Sequence, residues 1–222
     1  MSVTDAAGAD ELPIEAQVRE FRRIICLNPT VAEILERMPA LQLPDCWLAA
    51  GALVQSVWNV LSDRDPRTGI LDYDLNYFDA ADLSWEAEDR AITAAASALA
   101  GIDADIQIRN QARVHLWYEE KFGVPCPPYR STRHAISTFA NCSSCLGVRV
   151  ADGAFEVFAP FGLTDLFRMT ARPNPVLAPP EIYAAKTARW ADEWPRLTVL
   201  AWPDQPRAVP GSHRHQVRSP DA

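Results

Sequence analysis

The most regular pattern in the chain runs over residues 71–78, where Tyr73, Leu75 and Tyr77 alternate with Asp72, Asp74 and Asn76. A period of two predicts a strand with one apolar and one polar face. Residues 105–109 alternate in the same way, and the apolar run 46–50 stops at Gly51 as a short buried strand does. Other stretches follow helical spacing. Residues 15–27 carry polar and apolar stripes; Asn28 and Pro29 break them and open a second helix over 30–37. Residues 52–61 continue from Gly51 as a helix. Ser84 caps a helix over 85–99 that keeps Ile92, Ala95, Ala96 and Leu99 on one face. Segments 110–122, 133–139, 163–171 and 181–193 predict further helices. Residues 146–150 and 155–159 flank Asp152-Gly153, a pair suited to the positive φ angles of a tight hairpin.

Strands and helices are interspersed, yet the hairpin is antiparallel. This predicts an α+β (mixed α/β) fold, a mixed β-sheet flanked by helices, and excludes a doubly wound parallel sheet. We expect an N-terminal helical segment over 1–43 that begins with a frayed leader at 1–11, a main domain over 44–200, and a disordered tail over 201–222. The tail is rich in Pro, Arg, His and Ser. Truncation after Leu200 is accordingly expected to leave thermal stability nearly unchanged.

Composition narrows the function. The chain is 48% hydrophobic, enough for a packed core, and carries a net charge of −8. No surplus of Lys and Arg is present to cover a duplex, so duplex DNA is not an expected partner. There is no signal-peptide pattern and no apolar run long enough to span a membrane, which points to the cytoplasm. Five cysteines do not suggest a disulfide framework. Cys142 and Cys145 form a C-x-x-C, but a zinc site would want a second ligand pair. The simpler expectation is a loop followed by a buried strand cysteine.

Asp72 and Asp74 stand two apart on a strand, so their carboxylates share a face. Two such groups repel, and a hard divalent cation such as Mg²⁺, or Mn²⁺ in its place, would offset both. The pair can hold the metals that stabilise the attacking and leaving oxygens of phosphoryl transfer. The alternative is an edge strand with a solvated acidic face. Gly51, where a strand meets a helix, would let a phosphate approach the helix N-terminus, or would serve only the turn. Asp105 is the candidate third carboxylate, with Asp103 as its rival. Gln107 and Arg109 lie on the face of Asp105.

Residues 50–61, then Pro66, then Leu71-Asp72-Tyr73-Asp74-Leu75 resemble the head of the tRNA nucleotidyltransferase and poly(A) polymerase group, with its small-residue turn, helix, loop and D-x-D strand. Residues 159–166 followed by Arg172 resemble the same group's D-P-F-G-G-x-x-D-L segment and Arg. From Trp47 to Trp194 the chain is also similar to a family of small bacterial nucleotidyltransferase-like proteins. The shared stretches include Trp58-Asn59, Tyr77-Phe78-Asp79, 109–115, Gly147-Val148-Arg149 and 159–162.

The resemblance implies a nucleotidyltransferase fold and a metal-dependent reaction on a nucleoside triphosphate. The metal would sit on Asp72 and Asp74, which with Asp105 form the catalytic set. Gly51, Ala52, Ser56, Arg109, Asn110 and Arg113 are the expected nucleotide-binding residues. The acceptor is open between a small molecule, a protein and an RNA end. The chain departs from the tRNA enzymes at Ala52, at Gln55-Ser56, where they carry Arg-Asp, and at Ala159, where they carry Asp. It also lacks their large RNA-binding helical region. The alternative reading is a non-catalytic nucleotide-binding or regulatory module. His115 is expected to be structural, and Asp165 and Leu166 to cap and pack a helix.

Overall fold

The computed structural model describes residues 8–204. Its centre is a five-stranded mixed sheet built from β1 (Trp47–Ala49), β2 (Tyr73–Tyr77), β3 (Ile106–Asn110), β4 (Gly147–Ala151) and β5 (Ala154–Phe158), in the order β3-β2-β1-β4-β5. The β2–β3 pair is parallel and the other pairs are antiparallel. Asp152 and Gly153, at φ 50° and 75°, make the β4–β5 turn as the Asp-Gly pair predicts.

One face of the sheet presents Leu48, Leu75, Ile108 and Val148 to the main core. Helices α1 (Ile14–Ile25), α2 (Pro29–Arg37), α3 (Gly51–Leu61) and α4 (Trp85–Ala98) contribute to that core, as does the short α7 (Thr164–Phe167). Asn28 caps α2 through Thr30 N and Val31 N, and Ser84 caps α4 through Ala87 N. The other face carries Trp47 and Ala49, covered by Ile136 of α6 (Thr132–Ile136) and by Phe139 and Phe158, and next to them the polar residues of β2 and β3. Helix α8 (Pro180–Glu193) is tied to α3 by the edge-on rings of Trp58 and Trp190, 5.0 Å apart, and by Trp194 against Trp58. The Trp194 indole N–H donates to Asn59 Oδ1 at 3.1 Å.

Helix α3 is buried from Gly51 to Val60, on every side. Its polar residues therefore have to be hydrogen-bonded internally. Ser56 Oγ donates to Ala52 O at 2.7 Å and accepts from Asn28 Nδ2 at 2.9 Å, while Asn59 Nδ2 donates to Thr68 O.

Several local expectations need correction. The segment 110–122 is not one helix: β3 runs to Asn110, a 3₁₀ turn follows over Gln111–Leu116, and α5 spans only Tyr118–Phe122. Asn110 starts the turn by accepting from Ala112 N, and Gly123 ends α5 at φ 71°. The helix expected over 163–171 closes after Phe167. A two-stranded sheet of β6 (Thr170–Ala171) and β7 (Thr198–Val199) replaces its end. Asp165 does not cap α7; its carboxylate accepts from Arg172 Nε at 2.7 Å.

The leader is held from Gly8 onward. Ala9 is buried, and Asp10 receives Arg168 Nε at 2.8 Å. Residues 1–7 lie outside the described residues, as do 205–222 of the expected tail. Within 201–204, Trp202 packs on Tyr183 with ring centroids 5.7 Å apart.

Candidate active site

The register of the sheet assembles the acidic cluster. Asp74 pairs with Ala49 on one side and Gln107 on the other. Asp72 lies just before β2 and Asp105 just before β3, and Tyr73 N donates to Asp105 O at 2.9 Å. Gln107 Nε2 donates to Asp72 Oδ2 at 3.3 Å and reaches Asp105 Oδ2 at 3.5 Å. The structure thus brings Asp72, Asp74 and Asp105 to one edge of the polar face.

Burial pushes the Asp74 carboxyl up to about 6, and the Asp72 charge adds to the rise. Lys186 and Arg109 oppose it. Lys186, on α8, is itself pushed below its usual range by burial, against the pull of Asp74. Asp74, Gln107, Arg109 and Lys186 line a cavity of about 310 Å³. Asn141 and Ser144 form another wall, and Trp117, Tyr118 and Phe122 the aromatic end.

Helix α3 begins at this face, because Ala50 directly follows the residue paired with Asp74. Ala50 sits at φ 54°, ψ −116°, a conformation that L-residues rarely adopt. Such strain costs on the order of 1–3 kcal/mol and is concentrated at functional sites. The positive φ falls on Ala50, not on Gly51. No side chain caps the α3 N-terminus, which leaves its first amides without a side-chain acceptor.

Of the remaining expected nucleotide-binding residues, Ala52, Ser56 and Arg113 are engaged within the fold, while Asn110 and Arg109 line the cavity. Ser56 is fully buried in the α3 network described above, and Ala52 points into the main core. Asn110 Oδ1 accepts from Asp79 N and Ala112 N, and its Nδ2 donates to Asp79 O at 2.8 Å. Arg113 is buried in an ion pair with Glu88, donates Nε to Leu83 O at 3.0 Å and lies 4.1 Å over the Trp85 ring. Glu88 also accepts from Asn110 N. Arg113 therefore fastens the 3₁₀ turn to α4 and has no free fork to offer a phosphate. Arg109 is exposed on the cavity wall.

His115 Nδ1 is buried without a hydrogen-bond partner. Cys142 and Cys145 are buried free thiols, Cys145 lying before β4 with its thiol pushed up to about 12 by burial. Among the described residues no helix is long and apolar enough to cross a membrane.

Sequence reasoning passed over Lys186, Asn141 and Ser144. For Lys186 a signal existed: with Ile182 and Trp190 it forms an i, i+4, i+8 row on α8, so a cation interrupts an inward-facing stripe.

A divalent cation fits the acidic edge in part. Among the described residues no group of three or more His, Cys, Asp or Glu side chains could hold a metal. Mg²⁺ does not require such a cage: it is held by one or two carboxylates, with water and substrate phosphates completing its octahedron. Burial, and then the Asp72 charge, disfavour the ionised Asp74 carboxyl, and a cation there would offset both.

No curated protein matches the chain. Among solved structures, the chain resembles one described as an NMR structure that reveals a CCA-adding enzyme head domain. The identity is 25%, the TM-score 0.65, and the match covers 87% of this chain and 99% of that one. A family model described as nucleotidyltransferase matches residues 36–199, which contain the sheet, the acidic edge and α8. The chain therefore belongs to the nucleotidyltransferase family.

Proposed function

We propose that the protein transfers a nucleoside monophosphate from a nucleoside triphosphate to a hydroxyl acceptor, in a reaction that depends on Mg²⁺ or Mn²⁺. The single observation that carries this reading is the juxtaposition of the Asp72–Asp74 pair with the uncapped N-terminus of α3, which begins just after Ala49, the strand partner of Asp74. Asp72 and Asp74 would hold the metal, which when bound supplies Lewis-acid stabilisation of phosphate oxygens.

The amides of Gly51 and its neighbours receive phosphate oxygens at the helix N-terminus, where the dipole favours anions. Asp105, exposed beside Gln107, accepts the proton of the attacking hydroxyl. A bond forms from the acceptor oxygen to the α-phosphorus, the bond to the β-phosphate bridge oxygen breaks, and pyrophosphate leaves with its electron pair. Trp117 and Phe122, at the aromatic end, offer surfaces for the base.

The test uses each nucleoside triphosphate labelled at the α- or γ-phosphate, with metal and a cell lysate. The α-label is expected to move to an acceptor and the γ-label to stay behind, because pyrophosphate leaves. Partition of the product among RNA, protein and small molecules then names the acceptor class. Metal-dependent nucleotide binding with no α-transfer from any nucleotide would favour the binding-module reading instead.

A further inference from the structure

The cavity contains polar atoms that the fold itself does not use. Asn141 and Ser144 are each 1% exposed, yet Asn141 Nδ2 and Ser144 Oγ have no hydrogen-bond partner. A buried donor left unpaired costs on the order of 1–3 kcal/mol, so two on one wall call for a reason. Both residues line the cavity that Asp74 and Lys186 also line. Lys186 makes no ion pair within 4.0 Å among the described residues. Its Nζ lies 4.9 Å from the centroid of the Trp190 ring.

The chemistry of this wall is one-sided. Lys186 offers only N–H donors. The Asn141 carbonyl oxygen is already taken by Ser143 N at 2.9 Å, so its free side is the amide N–H. The Ser144 hydroxyl can donate. A base edge presents donors and acceptors together and would leave such a wall poorly matched, whereas phosphate oxygens are acceptors throughout. The wall is also continuous with the start of α3, because Ala50 N donates to Leu146 O at 2.9 Å, two residues beyond Ser144.

We propose that Lys186, Asn141 and Ser144 form the subsite for the two terminal phosphates of the nucleoside triphosphate, and hence for the departing pyrophosphate. The inference rests on the transfer reaction proposed above and assigns three residues to its leaving group. Lys186 neutralises charge that accumulates on the pyrophosphate as its bond breaks, and the amide and hydroxyl fix its orientation.

The experiment measures binding of inorganic tripolyphosphate and of the four nucleoside monophosphates to the full chain with Mg²⁺ by calorimetry. The proteins are wild type, Lys186→Met, Lys186→Arg, Ser144→Ala and Asn141→Asp. Asn141→Asp keeps the acceptor that caps Ser143 N while replacing the free amide donor with an anionic oxygen. Tripolyphosphate affinity is expected to fall about tenfold or more in Lys186→Met and Asn141→Asp, since charge-assisted bonds are lost, and less in Ser144→Ala. Lys186→Arg should retain most of it, and monophosphate affinity should stay unchanged throughout. The melting temperature of Ser144→Ala should be equal to or above that of wild type, because no internal bond is removed.

Unchanged tripolyphosphate binding in Lys186→Met and Asn141→Asp overturns the subsite while leaving the transfer reaction standing. Equal losses for monophosphate and tripolyphosphate overturn it too, by moving these residues to the α-phosphate end. Failure of wild type to bind tripolyphosphate with Mg²⁺ overturns the subsite, and the α-label assay then decides separately whether the transfer reaction stands.

Discussion

Asp74 is the residue where folding and chemistry conflict most openly. Burial and the neighbouring Asp72 raise its carboxyl from about 3.8 to about 6. An acid whose pKa rises on folding binds more protons in the native than in the unfolded state over that window. Stability therefore falls as pH rises from about 4 to about 6, and the deficit persists above it. Asp74→Asn removes the charge with little change in volume. In chelator at pH 8 it is expected to raise the melting temperature by several degrees, the gain disappearing near pH 4 where the native carboxyl is protonated. Nucleotidyl transfer should be abolished in the same variant. Thermal scans across pH check the first half and the α-label assay the second. A variant that loses stability at pH 8 would show that the carboxylate is engaged in native contacts and not held against repulsion.

At the scale of elements, the 3₁₀ turn Gln111–Leu116 shows how one ion pair can substitute for helical regularity. Arg113 joins Glu88 of α4, and Glu88 also satisfies Asn110 N, so the end of β3, the turn and α4 are fixed by a single buried carboxylate. Removing one partner leaves the other charge buried and unpaired, at a cost of about 3–5 kcal/mol. Arg113→Met is expected to lower stability by that order. The double variant Arg113→Met/Glu88→Gln should recover part of the loss, because Gln keeps an acceptor for Asn110 N without the charge. Denaturant titration of the three proteins checks this. A loss of nucleotide affinity in Arg113→Met with unchanged denaturation would instead return Arg113 to the phosphate-binding set expected from the sequence.

At the scale of the molecule, the C-terminal part of the described chain closes the structure around α8. The Tyr183 hydroxyl lies 2.8 Å from both Ala171 O and Leu200 O and shares its one proton between them, and Trp202 packs against the same ring. Truncation after Leu200 removes the Trp202 contact and is expected to cost about 1–2 kcal/mol, a few degrees in melting temperature. Truncation after Leu197 also removes β7 and should cost distinctly more. Differential scanning calorimetry of the two truncations decides between this and the unchanged stability that the sequence alone suggests. Because Lys186 lies on α8, loosening this end should weaken tripolyphosphate binding along with stability.

Much of this architecture is local in origin and was therefore legible. The two-residue period of 71–78, the Asp-Gly hairpin, the caps at Asn28 and Ser84 and the D-x-D pair are set by neighbours along the chain. Pattern and resemblance together reached the mixed sheet and the nucleotidyltransferase family from these features.

What only the tertiary structure decided depends on groups far apart in sequence. Whether a polar side chain meets a ligand or a buried partner is set by what packs against it. Ser56 is claimed by Asn28, and Arg113 by Glu88, 25 residues away. The strain at the α3 turn falls on Ala50 and not on the glycine beside it, since the course of β1 into a buried helix determines that angle. Lys186 faces Asp74 only because the Trp58–Trp190 contact seats α8 against α3. Period and propensity describe one element at a time, whereas the cavity lies between elements and owes its walls to their packing.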